Sequence, residues 1–174
     1  MSHSVFRLFI VTAVIFLDQW SKSLIIALLD EYERLSILSF LDLTLIFNQG
    51  IAFSLFDYQS GLQTLPLIAL SLLAILFFIF LLVRNAWSKI EEIGILMIIG
   101  GAIGNLIDRI TQGAVTDFIL FYYERSFIGL DGLPAIRHFY FPAFNVADSF
   151  ITIGILMLLL AELLKQKKRN SIRH

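Results

Sequence analysis

Four long apolar stretches dominate the pattern of hydrophobic and polar positions along the chain. They cover about residues 5–29, 62–83, 93–110 and 144–164. A helix that crosses a membrane needs about 20 mostly apolar residues. The first stretch is too long for the apolar part of a cleavable signal peptide, and no small-residue cleavage site follows it. The pattern therefore predicts four permanent transmembrane helices.

Two segments that are more polar than the spans, residues 30–61 and 111–143, connect the first helix to the second and the third to the fourth. From Leu41 to Asn48 the side chains alternate in a manner typical of a strand. A turn at 48–50 and a possible return strand at 51–55 follow. We therefore expect an all-α membrane protein of four transmembrane helices with a small extracytoplasmic β-structure, built as a single domain over 1–174.

Lysine and arginine concentrate before the first span, between the second and third, and after the fourth. The positive-inside rule then places both termini in the cytoplasm and the two polar segments outside. Three arginines in the outer segments weaken this signal. The basic tail at 165–174 could contact RNA or anionic lipid. Its position directly after a span favours a cytoplasmic flank, so we expect no nucleic-acid partner.

Composition agrees with a membrane protein and narrows the chemistry. Of 174 residues 58% are apolar and 16% charged, the mean hydropathy is +0.84, and the net charge of −1 is uninformative. The absence of cysteine excludes thiolate nucleophiles and disulfides. With three histidines, a histidine-rich metal site is not expected, nor is any cofactor. No phosphate-binding loop or dinucleotide motif is present.

Ionisable residues within the spans are candidates for function, because charge in a bilayer is costly. Asp18 and Lys22 lie four positions apart on one helix face and can form an ion pair. Such a pair can be purely structural, bonding a neighbouring helix, or it can support a site. The sequence alone leaves both interpretations open.

The third span contains a glycine-rich segment followed by polar residues. Gly100 and Gly104 allow a neighbouring helix to approach closely. Asn105, Asp108 and Arg109 follow on roughly one face. They could form a buried Asp108–Arg109 or Asn–Asp network that only holds the helices, or they could shape a site.

Two further carboxylates, Asp117 and Asp148, are predicted at matching depth on converging segments. Asp117 could be a solvated loop residue. Asp148 could interact favourably with the dipole at the N-terminus of the fourth helix, for which Asn145 could be the N-cap. A close pair would instead share one proton and activate water against a carbonyl group, as in aspartic proteases. A proton or cation path through a transporter, and a non-catalytic membrane scaffold, are the competing interpretations.

Five motifs resemble those of the signal peptidase II, or lipoprotein signal peptidase, family, and they occur in the family's order. They are residues 18–22 (DQWSK), 48–54 (NQGIAFS), 100–109 (GGAIGNLIDR), 115–118 (VTDF) and 141–149 (FPAFNVADS). The resemblance covers most of the chain. It implies an aspartic endopeptidase with Asp117 and Asp148 as the catalytic pair. Further residues match the family's supporting or substrate-binding positions: Asp18, Lys22, Asn48, Gly50, Asn105, Asp108, Arg109, Asn145 and Ala147.

The resemblance also implies the substrate, a prolipoprotein that carries diacylglycerol on its cysteine and is cut just before that residue. It implies inhibition by cyclic peptides of the globomycin type, no metal, no cofactor, and a monomer in the bacterial inner membrane with its site near the outer face. Residues 118–140 depart from the family by their length. Their aromatic run could anchor the protein at the membrane interface or form part of a lid.

Overall fold

The computed structural model describes residues 3–50, 64–128 and 134–172. The possible return strand at 51–55 lies outside these residues. Within them four helices are long and apolar enough to cross a membrane, which confirms the predicted spans. They are α1 (His3–Leu28), α2 (Thr64–Arg84), α3 (Lys89–Gln112) and α4 (Val146–Ile172). The largest difference is at α4, whose basic tail continues the helix.

Helix α3 lies at the centre of the bundle, and the other three helices pack against it. Of its most apolar window 67% is buried, compared with 11% for α2. Glycines allow the close approach, since a Cβ at Gly100 would lie 2.8 Å from Val14 of α1. A Cβ at Gly101 would lie 2.5 Å from the Ala147 carbonyl oxygen of α4. The predicted small-residue packing at Gly100 is therefore confirmed.

Sequence signals define both ends of α3. Ser88 is the N-cap and forms a capping box with Glu91, in which each side chain bonds the other residue's backbone N–H. Gly113 ends the helix in the left-handed conformation, with φ of 76°. This turn leads the chain directly into the strand that carries Asp117.

The β-structure is a four-stranded antiparallel sheet in the order β1-β2-β3-β4. Its strands are β1 (Arg34–Leu38), β2 (Leu41–Asn48), β3 (Val115–Ile128) and β4 (Pro134–Tyr140). The strand predicted from Leu41 is confirmed, but a bulge between Leu43 and Ile46 interrupts its alternation. The long segment that the sequence left open as an anchor or a lid forms the β3–β4 hairpin.

Candidate active site

Asp117 lies near the start of β3, where the sheet and α4 meet. It pairs with Ile46 of β2, so Asn48 reaches it diagonally across the same face. The Asn48 Nδ2 group donates to Oδ2 at 2.8 Å, and the Asn145 Nδ2 group donates to Oδ1 at 2.7 Å. The side chain is buried, so the alternative of a solvated loop aspartate is wrong. Burial, together with the nearby charge of Asp148, raises the pKa of Asp117 to about 6.

Asp148 lies in the first turn of α4, where Asn145 is the N-cap. The Asp148 N–H donates to Asn145 Oδ1 at 2.9 Å, and the Asn145 N–H donates to Asp148 Oδ2 at 3.3 Å. The predicted cap is therefore confirmed, and it is reciprocal. Asn105 of α3 adds a third contact, because its Nδ2 donates to Asp148 Oδ1 at 2.8 Å.

Asn145 connects the two carboxyl groups. Its Nδ2 donates to Asp117 Oδ1 and, at 3.1 Å, to Asn105 Oδ1, and its backbone N–H donates to Asp148 Oδ2. Its Oδ1 accepts from the Asp148 backbone N–H. The residue is completely buried. One asparagine thus fixes a carboxyl group on the sheet relative to one on a helix.

Lys22 lies near Asp117 and Asp148, and its ammonium group has three acceptors. Its Nζ lies 2.8 Å from Asp18, 2.9 Å from Asp108 and 2.9 Å from the Asn105 side-chain oxygen. These three acceptors match the three protons of an ammonium group. Lysine only donates, so it directs the oxygen of Asn105 toward itself and the Nδ2 toward Asp148. The predicted Asp18–Lys22 pair is confirmed as part of a larger cluster.

The carboxylates of the cluster also hold the backbone that carries the candidate pair. Asp18 Oδ1 accepts from the Ala147 N–H at 2.8 Å, and Asp108 Oδ2 accepts from the Thr116 N–H at 3.0 Å. Each of these amides belongs to the residue immediately before a candidate aspartate. Asp18 and Asp108, joined by Lys22, therefore hold the backbone next to Asp148 and Asp117 at a fixed spacing through main-chain N–H groups.

Gly104 and Gly50 leave room at two crowded positions. A Cβ at Gly104 would lie 2.5 Å from Asp18 Oδ2, so a larger residue would displace the carboxylate. Gly50 has a φ of +82° and would place a Cβ 2.5 Å from Leu67 of α2. Its N–H donates to Asn48 Oδ1 at 2.9 Å, which orients the amide that reaches Asp117.

Arg109 does not pair with Asp108. Its Nη1 donates to Ser71 of α2 and to the Asn105 carbonyl oxygen, each at 3.3 Å. Of the two networks that the sequence left open, the structure forms the one between asparagine and aspartate, Asn105 to Asp148. Ser71 carried no sequence signal for this contact.

Gln19 is a second residue that the sequence analysis did not assign to the site. Its Nε2 lies 2.8 Å from Asp108 Oδ1 and 3.2 Å from Asp18 Oδ2, and it also approaches the Gly104 carbonyl oxygen at 3.1 Å. It thus joins the same two carboxylates as Lys22. Its place between Asp18 and Lys22 in the sequence was the signal that could have found it.

Each candidate aspartate lines a separate cavity. Asp148 borders a cavity of about 550 Å³ whose walls are mostly apolar, with Ser149 and Thr152 as its other polar residues, and which follows α4 to Ile153. Asp117 borders one of about 480 Å³ that Tyr32 and Pro142 help to line. Among the described residues no group of three or more His, Cys, Asp or Glu side chains could hold a metal ion. The arrangement offers two neighbouring carboxyl groups beside an apolar space, which suits acid–base chemistry on an amide.

Known proteins are similar to this chain in sequence and in fold. The family model described as Signal peptidase (SPase) II matches residues 10–164. A lipoprotein signal peptidase of Neisseria gonorrhoeae is 38% identical over 156 residues, which are 89% of this chain and 87% of the relative. One of Acinetobacter baumannii is 38% identical over 172 residues, which are 97% and 90% of the two chains.

A solved structure agrees with both. It is a bacterial membrane enzyme determined at 1.9 Å by the in meso method, and it superposes with a TM-score of 0.72 at 25% identity. The match covers 91% of this chain and 92% of that one. These similarities confirm the resemblance inferred from the five motifs. The chain is a multi-pass membrane protein and belongs to the signal peptidase II family of aspartic peptidases.

Proposed function

We propose that this peptidase removes the signal peptide from diacylglyceryl-modified bacterial prolipoproteins, cutting just before the lipidated cysteine, with Asp117 and Asp148 as its catalytic pair. The observation that carries the assignment is the bridge through Asn145, whose Nδ2 bonds the Asp117 carboxyl group and whose backbone N–H bonds that of Asp148. The names of the relatives support the substrate class.

In the proposed mechanism the pair shares one proton, because two close carboxyl groups do not both ionise readily. Asp117 holds this proton, consistent with the burial that raises its pKa to about 6. Asp148 takes a proton from a water molecule, whose oxygen then attacks the scissile carbonyl carbon. Asp117 donates its proton to the carbonyl oxygen. The C–N bond then breaks as Asp148 returns a proton to the cysteine nitrogen and Asp117 takes back a proton from a hydroxyl group of the tetrahedral intermediate, which leaves the carboxyl product and restores the pair.

The other site residues position this pair. Asn48 and Asn145 orient the Asp117 carboxyl group, and Asn105 orients that of Asp148. The distance between the two aspartates is set by a cluster on the side of Lys22, which consists of Asp18, Lys22, Asp108 and the Ala147 N–H. Gly50 adopts the backbone conformation of the turn that follows Asn48. Arg109 braces α3 against α2 through Ser71.

The apolar cavity beside Asp148 suits a lipidated substrate. It is lined by Phe121, Phe141 and Phe144 and runs along the membrane-spanning α4. A signal peptide is itself an apolar helix, so the substrate can reach the site sideways through the bilayer. The basic segments around Arg84 and Lys89 lie at the opposite end of α3 from Asp108. We therefore place both termini in the cytoplasm of a bacterium and the site near the outer face of the inner membrane, in a single-domain monomer.

The test is cleavage of a diacylglyceryl-modified prolipoprotein by the purified protein in detergent. We expect release of the signal peptide that globomycin blocks and that EDTA leaves unchanged. Asp117→Asn and Asp148→Asn should each reduce turnover by about 10³-fold or more, since each removes a proton-transfer group.

Asp42→Asn is the matched control, because Asp42 is a buried carboxylate of the same sheet whose strand partners are Ser36 and Leu120. It should keep most of its activity. Near-normal turnover by Asp148→Asn would reject the catalytic pair. A folded wild-type protein that left the lipidated precursor intact would reject the substrate assignment.

A further inference from the structure

The β3–β4 hairpin has two chemically different faces. In its register Tyr123 lies opposite Phe139, and the neighbouring pair is Glu124 opposite His138. Side chains alternate between the faces of a strand, so these pairs point in opposite directions. We call Phe121, Tyr123, Phe139 and Phe141 the aromatic face, and Tyr122, Glu124, His138 and Tyr140 the polar face.

The aromatic face is exposed in the part of the chain that the structure describes. Tyr123 is 56% exposed and Phe141 61%. The rings of Tyr123 and Phe139 stack at 4.8 Å, which stiffens the surface without covering it. A cluster of exposed aromatic side chains is typical of an interaction site.

The polar face satisfies its own groups. His138 Nε2 lies 2.8 Å from Glu124 Oε1, and the Arg34 guanidinium lies 4.6 Å from the centre of the Tyr140 ring. These charged groups are suited to water or headgroups. The hairpin is therefore amphipathic, with aromatic side chains on one face and charged or polar groups on the other.

The cavity beside Asp148 indicates which way the aromatic face points. Phe121 and Phe141 form one wall, and Thr152 and Ile153 of α4 form another. Ile153 is an exposed residue of a membrane-spanning helix and so faces lipid. The aromatic face is thus continuous with a wall that borders the bilayer. The Arg137 guanidinium lies 6.0 Å from the Phe139 ring, farther along the same face.

We propose that the aromatic face of the β3–β4 hairpin docks on the lipid surface of the bilayer in which the helices stand. Phe and Tyr rings occupy the interfacial layer, as aromatic side chains do at membrane boundaries. Arg137 reaches the phosphate layer beyond them, and the polar face remains in water. The hairpin thereby holds the sheet, and Asp117 with it, at a fixed depth. This docking does not depend on which residues are catalytic.

The natural absence of cysteine permits a direct test. Single cysteines at Tyr123 and Phe139 on the aromatic face, and at Glu124 and His138 on the polar face, each receive a nitroxide label. The labelled full-length proteins are reconstituted in phosphatidylcholine–phosphatidylglycerol vesicles. Collision rates with oxygen, which partitions into lipid, and with a water-soluble nickel chelate are then measured by electron paramagnetic resonance.

Docking predicts an oxygen-to-nickel ratio several-fold higher at 123 and 139 than at their neighbours 124 and 138. Retained prolipoprotein cleavage shows that each variant is folded. Equal ratios at neighbouring positions would overturn the proposal. So would shielding at 123 and 139 that arises only when lipidated precursor is added, because the face would then be a substrate lid.

Discussion

Buried carboxylates connect neighbouring elements at both ends of α3, yet the two ends are built differently. At one end, which we call the Glu91 end, Glu91 pairs with Lys165 of α4 at 2.6 Å and Glu92 pairs with Arg7 of α1. Each acid has its own base. Lys165 is 49% exposed, so water shares in the solvation of its charge.

The other end, the Asp108 end, has two acids for one base. Lys22 is only 3% exposed and lies between Asp18 and Asp108. The excess negative charge is met by neutral donors, among them the N–H groups of Ala147 and Thr116. Similar ion pairs therefore have different roles at the two ends of α3. The pairs at the Glu91 end hold α1 and α4 against α3, whereas the cluster at the Asp108 end also positions the backbone next to Asp117 and Asp148.

The largest expected effect comes from removing Lys22 at the Asp108 end, with removal of Lys165 at the Glu91 end as the comparison. Lys22→Met leaves two buried carboxylates without a charged partner, and breaking such a pair costs about 3–5 kcal/mol. Lys165→Met removes a half-exposed partner, which is worth about 1 kcal/mol or less. Thermal unfolding in detergent measures both, together with prolipoprotein cleavage. Equal losses of stability in Lys22→Met and Lys165→Met would contradict the proposed difference between the Asp108 end and the Glu91 end.

A second prediction concerns the charge of Asp117. The Asp117 carboxyl group is bonded by the side-chain amides of Asn48 and Asn145, whereas Glu91 is paired with a cation. The pKa of Asp117 is raised by burial from an ordinary value of 3.8 to about 6. The folded state therefore binds the proton more tightly than the unfolded state. Stability falls as the pH rises through this interval, by up to about 3 kcal/mol, and the loss persists above it.

Asp117→Asn removes this penalty, and under the proposed mechanism we expect it to abolish activity as well. The melting temperature of the variant minus that of the wild type should increase between about pH 4 and about pH 7. The control is Glu162→Gln, which changes an exposed carboxylate. A difference that stayed constant with pH for Asp117→Asn would contradict the origin of the shift in burial.

The smallest expected change in stability compares the two N-caps. Asn145→Ala removes the cap of α4 and Ser88→Ala that of α3, and each should cost about 1 kcal/mol. Only Asn145 also bonds Asp117, so only its loss should reduce kcat/KM, by about 10²-fold for a misplaced catalytic group. A comparable loss of activity in Ser88→Ala would mean that the Glu91 end also controls the site.

The sequence allowed prediction of the spans, the family and the residues of the candidate site, because hydrophobic length and polar residues within spans are local signals. It did not reveal that Asp18 and Asp108 bind backbone N–H groups. Every residue except proline offers that donor, so the partner leaves no mark in the sequence. The contact between Arg109 and Ser71 was missed for a related reason, since many serines in helices bond only their own backbone.

The hairpin was harder to predict than the helices. Its aromatic residues suit both a strand and a membrane interface, and the pairing of Tyr123 with Phe139 depends on tertiary register rather than local composition. The bulge in β2 was hidden in the same way, because nothing in the alternation from Leu41 marks the extra residue.

The main-chain contacts at residues 116 and 147 also bear on how resistance could arise against an inhibitor that occupies the candidate pair. A substitution of the Thr116 side chain leaves its N–H in place, so it leaves the anchor of Asp117 intact. Ala147 is completely buried beside Gly101, and a bulky replacement there would separate α3 from α4. A mutation that moves the aspartates through these main-chain contacts changes Asp18, Lys22 or Asp108, and each such change weakens the fold. Few single substitutions would therefore lower inhibitor affinity and still leave a working enzyme.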